Sequence, residues 1–105
     1  MIDKGNFFIV RISERLIIPH TDIVRNQIDK ILEEKNQHYL ILDLENVSEC
    51  DSDGLRFFLT VYRKAHKLGK ECFLFRPGTF LRELFELSNL HNFFTIIDTL
   101  DDFTD

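Results

Sequence analysis

Apolar residues along this chain alternate between two periods. From Phe7 to Ser13 the run FFIVRIS is rich in β-branched and aromatic residues, and ERLIIP brings Leu16 to Ile18 back as a second short extended segment. Together these predict an opening β-hairpin. From His20 to Lys35, apolar positions Val24, Ile28, Ile31 and Leu32 follow the spacing of one helical face, with Thr21 or His20 near its start. YLILDL, Tyr39 to Leu44, is almost continuously apolar, which suits a central covered strand. A second helical stripe, Leu55, Phe58, Leu59, Tyr62 and Ala65, runs toward Gly69, the residue type favoured just past a helix end. Cys72 to Phe75 predicts another strand, and Pro77-Gly78 separates it from TFLRELFELSN, where Leu81, Leu84, Phe85 and Ser88 share a face and Asn89 suits a left-handed cap. FFTIID predicts a last strand, and TLDDFTD a short acidic tail with helical character.

The predicted order is β-β-α-β-α-β-α-β: an α/β fold with a mixed, mostly parallel sheet of roughly four to five strands and helices packed against it. At 105 residues and 12.5 kDa the chain has room for a single domain spanning residues 1–105. Eleven Phe residues and 44% hydrophobic content are too much apolar surface for a disordered chain. A net charge of −5, with Lys and Arg never more than two in a row, argues against a direct nucleic-acid partner. No stretch approaches the ~20 apolar residues that cross a bilayer, so a cytoplasmic protein without membrane insertion is expected. Cys50 and Cys72 lack any metal or redox spacing and are expected to be packing thiols. His20, His38, His66 and His91 lack metal-ligand spacing too.

The stretch that asks for chemistry is SECDSDGLRFF, Ser48 to Phe58. It stands where a strand hands over to a helix, the place where open α/β sheets build their sites. Three readings compete. A calcium loop would want an Asp where Glu49 stands and a bidentate Glu where Thr60 stands, so the match fails. An aspartyl nucleophile with an acid two residues on, Asp51 and Asp53, would need a phosphate-gripping Lys and further carboxylates. Asp43 and Asp98 are candidates for these, each with a plain role as a solvated residue near a strand end. In the third reading Ser52 is central: as an N-cap its hydroxyl would stabilise the helix by ~1 kcal/mol, and at an exposed helix start it is also suited to phosphorylation.

The pattern resembles the STAS domain, and within it the bacterial anti-sigma factor antagonists. The resemblance rests on LILDLENVSECDSDGLRFFLTVYRKAHKLGKECFLFRPGTFLRELFELSNLHNFFTIIDT: a strand, a D-S-[ST]-G-L turn, a helix, a "GK" strand and an L-S-G-L…F-x-I-x-D ending. It implies a sheet with helices mainly on one face. It also implies an interaction module and not an enzyme: the unphosphorylated antagonist captures a serine-kinase anti-sigma factor, phosphorylation of the serine after the turn's Asp releases it, and a serine phosphatase restores it. By position that serine is Ser52, with Asp51, Asp53, Gly54, Leu55 and Arg56 as partner-binding neighbours. ATP and its metal belong to the kinase, so no cofactor is expected here.

The chain departs from the family pattern in three places. Asp53 stands where a second Ser or Thr is usual, and Arg56 where a second glycine is usual. Arg56 follows Asp53 by three positions and Ser52 by four, so it can reach either on one helical face, and Asp53 with Arg56 is expected to form a compensating pair. Glu14-Arg15-Leu16-Ile17 replaces the usual G-x-[LF]-D. Other functional classes remain open on sequence: a STAS subunit of a lipid-transport ABC assembly that is never phosphorylated, or a scaffold in a stress-signalling complex. The Phe pairs 57/58 and 93/94 leave room for an exposed aromatic contact.

Overall fold

The structure, a computed structural model, describes residues 7–12, 15–17, 20–34 and 36–101. Four strands form the main sheet: β1 (Phe7–Arg11), β3 (Tyr39–Asp43), β5 (Glu71–Phe75) and β6 (Thr95–Ile97). Their spatial order is β1-β3-β5-β6, and every pairing is parallel, with Phe7 opposite Tyr39, Tyr39 opposite Glu71 and Phe73 opposite Thr95. The apolar run that opens at Tyr39 supplies the second strand of this sheet, β3, flanked on both sides, and all of β3 except half-buried Tyr39 is buried. That accounts for its lack of polar alternation.

Three α-helices occur among the described residues: α1 (His20–Glu34), α2 (Ser52–Lys67) and α3 (Thr79–Leu87). All three pack on one face. Val24, Ile28 and Leu32 of α1, Phe57, Phe58, Val61 and Ala65 of α2, and Leu81 and Phe85 of α3 share one buried cluster with Leu40, Leu42 and Leu74 of the sheet. The alternate strand residues, Phe7, Tyr39, Ile41, Phe73, Phe75 and Ile97, form a smaller cluster on the other face, as the period of two along a strand requires.

The sequence expectation needs correcting at its first step. The two opening strands form no hairpin among the described residues. β1 joins the main sheet beside β3, whereas β2 (Arg15–Leu16) pairs in parallel with a short strand absent from the expectation, β4 (Glu49–Cys50), as a separate two-stranded sheet. Adjacency in sequence suggested a hairpin, but tertiary burial decides the pairing: Leu16 is fully buried, and its backbone is drawn to the start of α2. The main sheet is consequently parallel throughout its described strands and not mixed. Ser13, Glu14 and Ile18, on which part of that hairpin rested, lie outside the described residues, as does the end of the acidic tail at 102–105.

The stripe of α2 is also wider than the spacing predicted. Phe57 and Val61 are fully buried, while Leu55, Leu59 and Tyr62 are half-buried at its margins. Both members of the 57/58 pair are in the core, edge to face with ring centroids 5.2 Å apart, and Phe58 also meets Phe85 at 5.0 Å. Of the second pair, Phe94 is buried and Phe93 is exposed against Tyr62. Gly69 and Asn89 take the expected left-handed conformations, at φ 72° and 63°. A 3-10 turn at Leu90–Asn92 follows α3 before β6. Ser88, placed by spacing on the inner face of α3, is exposed, and its hydroxyl donates to the Leu84 carbonyl at 2.8 Å.

Candidate functional site

The acidic turn is the first turn of α2 with the short strand before it. Asp51, not Ser52, caps the helix: its backbone is extended, at φ −100° and ψ −171°, and its Oδ1 accepts from the Gly54 N–H at 2.9 Å. Asp51 also anchors the turn to β2, since its own N–H donates to the Leu16 carbonyl at 3.2 Å, while its carbonyl accepts from Leu55 N. The N-cap role open to Ser52 on sequence is therefore filled by its neighbour. Ser52 is the first helical residue and is exposed, and its side chain makes no hydrogen bond among the described residues.

Gly54 is buried because α2 begins almost in contact with β2. A Cβ there would lie 2.3 Å from the Leu16 carbonyl oxygen and 2.7 Å from the Cys50 Sγ. Glycine is required by close approach, since the residue sits in ordinary helix. Leu55 flanks it, half-buried against the core. Cys50 is a packing thiol, pushed up to about 11 by burial first and by the Asp51 carboxylate second. Burial likewise pushes the Cys72 thiol up.

Asp53 turns away from solvent and lies between two guanidinium groups. Arg56 Nη1 is 3.8 Å from one carboxylate oxygen, the pair expected from the i, i+3 spacing. Arg25 Nη2, from α1, is 3.8 Å from the other. The Asp53 side chain is 16% exposed, Arg25 25% and Arg56 72%, so Arg25 is the covered partner and Arg56 the solvent-exposed one. Sequence reasoning missed Arg25. Its contact with Asp22, 2.7 Å away and three residues earlier, is legible in sequence, whereas its reach across to α2 is a tertiary fact. At the other end of the same two helices Lys64 of α2 bonds to Glu33 and lies 3.7 Å from Asp29. The helices thus run side by side in the same direction, as a parallel sheet with crossover helices requires.

Neither carboxylate of the turn is placed as a nucleophile's setting demands: Asp51 is bound as a cap and Asp53 is held by arginines. Asp43 is not a solvated strand-end residue as expected. It is buried, accepting from Arg11 Nε at 3.3 Å and from the Glu45 N–H at 3.1 Å. Asp98 is exposed and pairs with Arg82. A calcium loop does not fit either, because residues 49–50 are strand, 52–67 are helix, and Glu49 faces Arg15 at 3.8 Å.

A parallel sheet with its helices on one face, and an exposed serine between a capping Asp and a crowded Gly at a helix start, define a STAS-type module. The family model of the STAS domain matches residues 1–103, and the chain belongs to that family. Among curated relatives it is similar to an anti-sigma F factor antagonist of Paenibacillus polymyxa, 29% identical over 90 residues that cover 86% of this chain and 77% of that one. Among solved structures it resembles the anti-sigma factor antagonist SpoIIAA in its unphosphorylated form, with TM-score 0.77, 19% identity, and coverage of 91% of this chain and 84% of that one. The fold is also that of a sulfate transporter family protein from Wolinella succinogenes, with TM-score 0.75, 15% identity, and coverage of 96% and 83%. Among the described residues no helix is long and apolar enough to cross a membrane.

Proposed function

We propose that this chain is an anti-sigma factor antagonist, a cytoplasmic binding module that is not itself an enzyme. Unphosphorylated, it captures a serine-kinase anti-sigma factor through the turn at Asp51–Arg56, whose exposed members are Ser52 and Arg56, and the outer face of α2. The kinase then transfers the γ-phosphoryl group of ATP to Ser52 Oγ, with loss of the hydroxyl proton and release of ADP, and the complex separates. A serine phosphatase returns the chain to its binding form.

The observation that carries this reading is the division of labour at the turn. Asp51 does the capping, which leaves the Ser52 hydroxyl exposed and free for modification without cost to the helix. The named relative supports the same function. The fold alone does not choose it, being shared with a transporter-family protein.

The partner surface follows from α2 itself. Ser52, Arg56, Arg63 and Lys67 fall within one face of the helix and all are exposed. In a chain of net charge −5 this face is cationic, so it suits an acidic surface on the kinase. A phosphate at its head brings about two negative charges into that contact. It also stands beside Asp51 and Asp53, where each unit pair of like charges at 4 Å costs about 1 kcal/mol even in water.

The test is capture from an extract of the native organism with Mg-ATP, using Ser52→Ala and Ser52→Glu as baits. A kinase retained by the alanine bait and lost from the glutamate bait is expected. Equal capture of the same partners by both would overturn the phosphorylation switch.

A further inference from the structure

We propose that in the phosphorylated chain Arg56 leaves Asp53 and holds the phosphate on Ser52, making Arg56 the residue that sets the charge state of the modified form. This rests on the reading of Ser52 as the modification site and deepens it by naming what receives the phosphate.

The argument begins with the unequal hold on Asp53. Arg25 and Arg56 both approach its carboxylate to 3.8 Å, but they differ in freedom. Arg25 is largely covered and is fixed on its other side by Asp22 at 2.7 Å. Arg56 is 72% exposed, and its contact with Asp53 is an ion pair longer than a hydrogen bond. When Arg56 swings away, Asp53 keeps Arg25 and is not left as an unpaired, mostly buried charge. The departure therefore costs little.

The destination lies on the same helix face. Ser52 and Arg56 are four residues apart on α2, the spacing at which long side chains meet, and both are exposed. A phosphoserine dianion carries more charge than the Asp53 carboxylate and offers three acceptor oxygens to a guanidinium that binds in a fork. The fixed acids of the turn cannot take part: Asp51 Oδ1 is bound to the Gly54 N–H, and Asp53 is a like charge. The Asp51 and Asp53 carboxylates favour the singly charged phosphate, while the amino end of α2 and Arg25 behind Asp53 favour the dianion. These act in every variant alike, and Arg56 adds a further pull toward the dianion. Arg56 is also withdrawn from the cationic face offered to the partner.

The experiment places phosphoserine at position 52 of the full chain during synthesis and follows its second ionisation by phosphorus NMR at low salt. Three phosphoproteins are compared: the parent chain, Arg56→Gln, and Lys30→Gln, which removes one exposed positive charge from α1. The phosphate of Arg56→Gln is expected to titrate about half a unit higher than the parent's, a shift discounted for an exposed pair, while Lys30→Gln matches the parent. Coincident curves for the parent and Arg56→Gln would overturn the proposal, as would an equal shift in Lys30→Gln, which would reduce the effect to net charge. Arg56 is exposed, so its replacement leaves the fold intact. Failure here is separable from failure of the function: a Ser52 phosphoprotein that still binds the kinase defeats the switch whatever its phosphate titrates at.

Discussion

α2 and α3 begin in similar surroundings of sequence: each follows a strand, each has a glycine beside its first turn, and each packs on the same face of the sheet. Their starts are built differently. α2 opens on a side-chain cap from Asp51 and buries Gly54 against the Leu16 carbonyl and the Cys50 sulfur. α3 opens on Gly78, with no side-chain cap hydrogen bond and nothing within 4 Å of where a Cβ would stand. One helix start is clamped to a second small sheet; the other is free. The clamped start carries the exposed serine, and a rigid support under an exposed group is what a recognition site needs.

The largest expected effect tests that clamp. Gly54→Ala puts a methyl group 2.3 Å from a backbone oxygen, which no side-chain rotation relieves, and a loss of about 3 kcal/mol in chemical denaturation is expected. Gly78→Ala meets open space at an ordinary φ of −70°, so only the loss of a favoured N-cap residue remains, at a cost of no more than about 1 kcal/mol. Equal costs at both glycines would mean that the α2 start is no tighter than the α3 start.

Next in size is the cap. Asp51→Ala removes the acceptor for the Gly54 N–H and should cost about 1–2 kcal/mol. Ser52→Ala, one residue on, should change stability by less than about 0.5 kcal/mol, because its hydroxyl supports nothing in the fold. The reverse ranking would restore Ser52 as the cap and weaken the case for modification.

What could be read from sequence divides along the same line. The strand at Tyr39–Asp43, the three helices and the left-handed caps at Gly69 and Asn89 are local, each set by periodicity or by a residue's own backbone preference. The turn's motif is local as well, so Asp51 to Arg56 are identifiable from the order of residues alone. The partners that give those residues their roles are not local. Leu16 reaches Gly54 and Asp51 through a two-residue strand too short to register as a pattern, and its pairing with Cys50 displaced the expected hairpin. Arg25 comes to Asp53 from another helix. Phe57 and Val61 were missed on α2 because a buried arc flanked on both sides is wider than one helical stripe.

A smaller effect tests whether Arg25 and Arg56 hold Asp53 unequally. Double-mutant cycles on stability, pairing Asp53→Asn with Arg25→Gln and then with Arg56→Gln, should give about 0.5–1 kcal/mol for the half-buried pair and less for the exposed one. Larger coupling to Arg56 would mean that it, and not Arg25, fixes the carboxylate.

The far end of the α1–α2 contact is a control for how far charge alone clamps two helices. There Lys64 bonds to Glu33. The hydrogen bond and charge of Lys64 hold the Glu33 carboxyl below its ordinary value, and Glu33 first, with Asp29, raises Lys64 above its own. A lowered carboxylate contributes stability that is present above the ordinary carboxylate range and is lost as pH falls through its folded value; a raised lysine contributes stability that is lost as pH rises through its own. Glu33 is exposed and Lys64 half-buried at the surface, so the contribution is the smallest considered. Lys64→Met should flatten the fall in stability on acidification slightly, measured as denaturation midpoints from neutral pH into the carboxylate range. Identical acid profiles would mean that the surface pair adds nothing. The hold of α2 on its neighbours would then rest on its buried face and on the crowded, capped start beside Ser52.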